Sequence, residues 1–224
     1  MPPNPTGQPD SGSDWEIRTI QIKDFQIEKR ADNPPILRGH AAIFNEWTNI
    51  YPWLKERIVP GAFTNAIKEK QDVRALFNHE PDWVLGRTTA GTLVLSEDKT
   101  GLLYECQYNP DSQLVRDLVI APIERGEITQ CSFAFIIRKG GSIVTIIEDP
   151  EDSWNDSYER EISDVDLYDV GPVTFPAYTG TDVSVVRSRS LIALCEERTK
   201  RIAQRTALKS LPDPRNASPC GHSR

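Results

Sequence analysis

The sequence predicts an α+β protein dominated by β-strands, folded as a single β-barrel domain with a few peripheral helices. Two observations lead to this prediction. Short apolar or alternating segments follow one another at close intervals and are bounded by turn-forming residues, which is typical of β-rich domains. The regular succession of strand and helix that builds a parallel, doubly wound sheet does not occur in the sequence. We therefore expect a closed or nearly closed barrel.

Length and composition suggest three regions. The 224 residues suffice for one domain with extensions, and 38% of them are hydrophobic. Residues 1–14 are rich in Pro, Gly, Ser and Asp and lack the basic and apolar parts of a signal peptide, so they are predicted to be a disordered leader. Residues 15–186 form the predicted main domain, and residues 187–224 a basic C-terminal helix and tail. No stretch approaches the roughly 20 apolar residues that a membrane span requires.

The predicted strands follow in order along the domain. Polar and apolar residues alternate at 16–22. Residues 36–44 are a predicted strand with a central glycine, and residues 73–77 are a short apolar strand. Residues 92–96 and 102–108 are two strands separated by a turn-like segment at 97–101. Residues 128–137 are the most apolar strand, and residues 160–170 are predicted as one strand after a polar loop at 148–157.

Three helices are predicted. Residues 60–70 begin with a proline and place Phe63 and Ile67 on one face. A second helix is capped by Asp111 or Ser112 and ends between 122 and 126. The third, at 191–208, is amphipathic. It is interpreted either as a removable, weakly packed segment or as a cover for one face of the domain.

Charge and cysteine content narrow the classes of function. The net charge is −7, and residues 187–224 hold nine Lys and Arg against three Asp and Glu, a charge of +6 that leaves −13 for the rest. An acidic body argues against a specific nucleic-acid-binding domain. The four cysteines show no C-x-x-C spacing and only three histidines are present, so neither a disulfide framework, nor a metal site, nor a bound cofactor is expected.

The sequence contains only three histidines that could act as a catalytic base. His222 lies in the predicted tail, and His40 lies inside an apolar strand, where a packed and hydrogen-bonded role is expected. His79 follows the strand at 73–77, which would deliver its side chain to the rim of the barrel. Since the pKa of free histidine is near neutrality, this position suits a general base, although a plain surface histidine fits the same pattern.

Ser132 is a polar residue inside the most apolar strand. Alternation places it with Gln130 and Ala134 on a face of small or polar residues that a substrate could approach, and places Cys131 with Phe133 on the bulky face. Most serines in strands only satisfy local hydrogen bonds. Cys131 is a rival nucleophile, but its position favours a buried, apolar thiol.

Several segments together resemble the tailed-phage prohead maturation serine proteases, a family similar to herpesvirus assemblin. They are RGHAAIFN at 38–45, VPGAF at 59–63, LFNH at 76–79, LGRT at 85–88, RGEITQCSFAF at 125–135, REI at 160–162 and VTFPAY at 173–178. They run in the family's order and cover roughly residues 16–186. The chain departs from the family pattern at Cys131, where a larger aliphatic residue is usual, and at Ala134, where glycine is common.

The resemblance implies an assemblin-like barrel and a serine endopeptidase with Ser132 as nucleophile and His79 as base. It places the third catalytic residue at Asp169, one carbon shorter than the expected glutamate, with Asp164 and Glu161 as rivals. By simple alternation Asp169 shares a strand face with Leu167. Donors to the oxyanion are not identified, and Arg87, Arg125 and Arg138 are candidates for assisting or plain surface arginines.

The resemblance also implies partners and a location. The expected substrates are the major capsid protein and the scaffold or its delta-like segment, with self-processing, inside the procapsid that assembles in the host cytoplasm. Neither a membrane nor a specific nucleic acid is an expected partner, and the oligomeric state is open, with a dimer as one option. A non-catalytic capsid-assembly module of the same fold is the alternative. A small-ester hydrolase is disfavoured because the sequence has no G-x-S-x-G elbow.

Overall fold

The computed structural model describes residues 15–21, 25–29, 34–175 and 188–209. The predicted leader at 1–14 and the tail beyond residue 209 lie outside the described residues. The strands of the described part are β1 (Glu16–Gln21), β2 (Gln26–Glu28), β3 (Ile36–Ile43), β4 (Thr48–Tyr51), β5 (Leu54–Ile58), β6 (Arg74–Leu76), β7 (Val84–Arg87), β8 (Leu93–Glu97), β9 (Gly101–Gln107), β10 (Gln130–Ile137), β11 (Ser142–Ile147), β12 (Ser157–Ile162) and β13 (Val165–Val173).

Helices are few, as the sequence predicted. They are α1 (Thr64–Lys68), α2 (Gln113–Val115), a π-helical turn (Arg116–Ile120), α3 (Ala121–Glu124), a 3₁₀ turn (Ser153–Asn155) and α4 (Arg189–Lys209). The predicted cap at Ser112 is confirmed, because its side chain accepts a hydrogen bond from the backbone N–H of Val115. The helix predicted from residue 60 begins only at Thr64, since residues 60–63 form turns. None of the described helices is long and apolar enough to cross a membrane.

The described strands form three sheets, so the expectation of a single closed or nearly closed barrel is wrong. The orders are β1-β10-β13-β6-β7, β11-β12-β5-β4 and β2-β3-β9-β8. The strand predicted at 160–170 is in fact two strands, β12 and β13, which belong to different sheets. The chain turns between them because the backbone N–H groups of Ser163 and Asp164 both donate to the carbonyl of Gly141 (2.8 and 3.2 Å). A Cβ on Gly141 would lie 2.2 Å from the Asp164 oxygen, so only glycine permits this approach.

Two apolar clusters hold the sheets together. The larger one contains the rings of Phe63, Tyr104, Phe133 and Phe135, all essentially buried. The smaller one lies under α4, and its members are Ile50, Leu54, Tyr158, Leu191 and Leu194. Helix α4 therefore packs on the sheet that contains β12, an arrangement that favours its interpretation as a cover for one face of the domain.

A buried cluster of charges fastens β1 to the rest of the protein. Arg160 lies between two carboxylates and donates to Glu16 (2.7 Å) and to Glu56 (2.5 Å), while Arg18 donates to the same two carboxylates. Burial pushes the pKa of Glu16 upward, but the charges of Arg18 and Arg160 outweigh it and hold that pKa at about 2. Glu16 therefore stays ionised in the folded protein at any pH above about 2.

The lowered pKa of Glu16 predicts an acid-sensitive contribution to folding stability. A carboxylate with a pKa of 4.5 when unfolded and about 2 when folded stabilises the native state above pH 4.5 and loses that contribution as the pH falls towards 2. The contribution is about 3 kcal/mol at neutral pH. In urea titrations, Glu16→Gln should be less stable than the parent at pH 7, and the difference should shrink at pH 3. A difference independent of pH would contradict the assignment, and Glu46→Gln, at an exposed position, serves as the control.

Candidate active site

Ser132 lies near the start of β10, between two neighbouring strands. Thr19 of β1 lies opposite it on one side and Gly171 of β13 on the other. As alternation predicted, Cys131 and Phe133 point to the opposite face and are buried in the large apolar cluster. A Cβ on Gly171 would lie 1.9 Å from the carbonyl oxygen of Leu76, so glycine allows β13 to approach β6 closely at the level of Ser132.

The close approach of β13 to β6 places His79 near Ser132. Strand β6 ends at Leu76, and His79 lies in the turn that follows this strand. Asn78 and His79 have φ values of 55° and 59°, a left-handed conformation that non-glycine residues adopt only at a cost. The turn is tied to the end of β13, because the Asn78 N–H donates to Pro172 (3.1 Å) and its Oδ1 accepts from the Thr174 N–H (2.9 Å).

The imidazole of His79 bridges a hydroxyl and a carboxylate. Its Nε2 lies 2.6 Å from Ser132 Oγ, and its Nδ1 lies 2.6 Å from Asp169 Oδ1. The three residues come from three separate segments of the chain, and each link has the length of a strong hydrogen bond. The side chain of His79 is 20% exposed and that of Asp169 only 7%, so the carboxylate is shielded while the ring reaches the surface.

Asp169 faces His79 because of a bulge that the sequence did not reveal. The register of β10 and β13 pairs Ala134 with Asp169 but Phe135 with Leu167, which leaves Tyr168 as an extra residue. Leu167 belongs to the apolar cluster, whereas Asp169 lies on the Ser132 face. The prediction that Asp169 and Leu167 share a face is therefore wrong, since one inserted residue reverses the alternation.

The rival carboxylates are engaged elsewhere. Asp164 accepts a hydrogen bond from the Asn65 amide (3.1 Å), and Glu161 pairs with Arg57 of β5. His40 lies in β3, 3.0 Å from Asp98 and in a different sheet from Ser132. Of the three predicted acids, the structure brings only Asp169 to His79.

Cys131 is a buried thiol, as predicted. Its Sγ lies 3.1 Å from the Tyr104 hydroxyl within the apolar cluster. Burial raises the pKa of the Cys131 thiol well above its usual range, so the reactive thiolate is strongly disfavoured. This environment removes Cys131 as a competitor of Ser132.

The face around Ser132 is not open, contrary to the sequence-based expectation. Ser132 is 0% exposed. Its Oγ donates to the carbonyl oxygen of Arg18 (2.9 Å) and accepts from the Thr19 hydroxyl (3.2 Å). Alternation predicted the correct face but could not show that β1 covers it, because that pairing joins residues 113 positions apart.

The three arginines considered as helpers all have acidic partners. Arg87 pairs with Asp72 (2.6 Å), Arg125 with Glu127 (2.7 Å) and Arg138 with Glu69. Arg125 and Arg87 are largely exposed, with side-chain exposures of 57% and 44%. These contacts fit the interpretation as surface arginines.

Comparison with known proteins identifies the family of this chain. A model of the Caudovirus prohead serine protease family matches residues 23–194, well over half of the chain. The chain belongs to this family. Among the relatives of this chain is the prohead protease of Enterobacteria phage HK97. It is 27% identical over 175 residues, which cover 77% of this chain and 69% of the HK97 protein.

A solved structure also resembles this member of the family. It is that of the bacteriophage T4 capsid assembly protease, with a TM-score of 0.44 and 12% sequence identity. The match covers 72% of this chain and 98% of the T4 chain.

Proposed function

We propose that this chain is a serine endopeptidase that matures a phage procapsid, with Ser132 as nucleophile, His79 as general base and Asp169 as the residue that orients His79. The observation that carries the proposal is the pair of 2.6 Å contacts on the two ring nitrogens of His79. A nucleophile, a base and an orienting carboxylate in this order are what acyl transfer by serine requires. The same convergence speaks against a non-catalytic assembly module.

The chemistry follows from the three side chains. His79 Nε2 takes the proton of Ser132 Oγ as the oxygen bonds to the scissile carbonyl carbon, and the same nitrogen then returns the proton to the leaving amine. Asp169 accepts the hydrogen bond of Nδ1–H, which leaves Nε2 free to act as a base. The carboxylate, only 7% exposed, also stabilises the imidazolium that forms. Water then attacks the acyl carbon while His79 Nε2 takes its proton. The same nitrogen returns this proton to Ser132 Oγ as the acyl group leaves.

The proposed substrates are the major capsid protein and the scaffold or its delta-like segment, together with the protease itself. The family description, prohead serine protease, supports this choice of substrates. The proposed place of action is the procapsid as it assembles in the host cytoplasm.

Co-expression of the chain with the major capsid protein of the same phage tests this proposal. With the parent protein, intact-mass analysis should show a shortened capsid protein, and with Ser132→Ala the capsid protein should keep its full length. Cys131→Ala is the matched control at the neighbouring position, and it should preserve trimming. Trimming that persists at the parental level with Ser132→Ala would contradict the proposal.

Asn78 is expected to act as a positioning residue for His79. Its Oδ1 accepts from both the N–H and the hydroxyl of Thr174, and these bonds hold the left-handed turn against the end of β13. Asn78→Ala should lower kcat about 100-fold, because small displacements of a catalytic group have effects of this size, while KM changes little. Asn78→Asp keeps the accepting oxygen and should recover most of the loss. Equal losses in the two variants would contradict this role.

A further inference from the structure

Strand β1 occupies the space that a substrate needs. Ser132 is fully buried, and β1 lies along the edge of β10 with Thr19 directly opposite the serine. A peptide carbonyl cannot reach Ser132 Oγ while this strand is in place. Since β1 is the outermost strand of its sheet, its removal would expose the β10 edge without disturbing any other pairing in that sheet.

The backbone of β1 lies at the nucleophile itself. Ser132 Oγ donates to the Arg18 carbonyl oxygen at 2.9 Å, and a C=O bond is about 1.2 Å long, so the Arg18 carbonyl carbon lies within about 4.1 Å of Oγ. The orientation is unreactive, because the carbonyl oxygen points at the hydroxyl. During attack the carbon must face the nucleophile and the oxygen must face the oxyanion donors.

The contact with β1 also competes with the base. The Ser132 hydroxyl has one proton and two acceptors within reach, His79 Nε2 at 2.6 Å and the Arg18 oxygen at 2.9 Å. When the proton is donated to Arg18, it is not available to His79. Strand β1 therefore blocks access to Ser132 and draws away the proton that the base must remove.

We propose that β1 covers the edge of β10 to which the substrate binds. An extended segment of the substrate then replaces β1 as an antiparallel strand on β10. A free strand edge binds such a peptide through backbone hydrogen bonds, which suits a protein substrate. The inference rests on the proposed function of Ser132. The charge cluster of Glu16 and Arg18 with Glu56 and Arg160 holds β1 in the closed state.

A reversible lock tests whether β1 must leave. Gln21 and Gln130 lie directly opposite each other, two residues from Thr19 and Ser132. Their replacement by cysteine, in a chain that also contains Cys195→Ser and Cys220→Ser, should give a disulfide between β1 and β10, since directly opposite strand residues lie within its reach. The probe is diisopropyl fluorophosphate, which loses fluoride as Ser132 Oγ bonds to phosphorus. Labelling is followed by intact mass.

The oxidised protein should react at least ten times more slowly than the same protein after reduction, and the reduced protein should react like its parent with Gln21 and Gln130 intact. Equal rates in the oxidised and reduced forms would overturn the proposal. If the parent, the reduced form and the oxidised form all fail to react, the proposed role of Ser132 is wrong, and the behaviour of β1 is then decided by hydrogen exchange.

Hydrogen exchange reports on β1 independently of the chemistry. The proposal requires that β1 opens by itself, so its amides should exchange at least ten times faster than those of β13 in the unmodified chain, because local opening requires less free energy than global unfolding. Oxidation of the Gln21→Cys/Gln130→Cys protein should remove this difference. Exchange of β1 and β13 at the same rate in the unmodified chain would overturn the proposal.

Discussion

Replacing His79 by alanine is expected to lower kcat about a million-fold, the loss found when one member of a coupled serine–histidine pair is removed. The reason is that in the proposed mechanism Nε2, 2.6 Å from Ser132 Oγ, takes the hydroxyl proton, and an unassisted serine hydroxyl is a poor nucleophile. The measurement is the rate of cleavage of purified capsid protein at saturating concentration.

His40 provides a matched control for this variant. It likewise has a carboxylate partner, at 3.0 Å from Asp98, but it lies in β3, whose sheet does not contain Ser132. His40→Gln should keep kcat within a few-fold of the parent. A loss in His40→Gln as large as that in His79→Ala would show that the effect does not come from a specific base.

Replacing Asp169 by asparagine is expected to lower kcat about 10,000-fold with little effect on folding. An asparagine amide can donate to Nδ1, which favours the tautomer with the proton on Nε2, and that nitrogen can then no longer accept the proton of Ser132. The pH–rate profile should show the loss across the whole range in which the parent is active.

The rival acids test the assignment of Asp169. Asp164→Asn and Glu161→Gln remove carboxylates that pair with Asn65 and Arg57, so both variants should retain activity within a few-fold. A loss of three orders of magnitude in either rival, with Asp169→Asn active, would reassign the third catalytic residue.

The local parts of the candidate site could be predicted from the sequence, because they depend on strand alternation. Alternation separates Ser132 from Cys131, and the structure places the thiol in the apolar cluster and the hydroxyl beside His79. It failed at Asp169, because the bulge at Tyr168 is a property of the pairing between two strands and has no signal within either one.

The sheet arrangement could be predicted only in part, because several strands are unusual. Strand β5 has the sequence LKERI, and its central Glu56 is buried through pairing with arginines that lie far along the chain. Such a strand has no apolar signature. Strand β11 has exposed isoleucines at 143 and 147 and is not among the strands predicted from the sequence. Without these strands, the sequence predicts one barrel where the described residues form three sheets.

The most direct test of the account is to map the site of covalent modification by diisopropyl fluorophosphate, using peptide mass spectrometry on the parent chain and on His79→Ala. The account predicts one adduct, on Ser132, and its disappearance in His79→Ala, because the hydroxyl then has no base. An adduct on another residue, or equal modification of Ser132 in both proteins, would contradict the assignment of Ser132 as a nucleophile activated by His79.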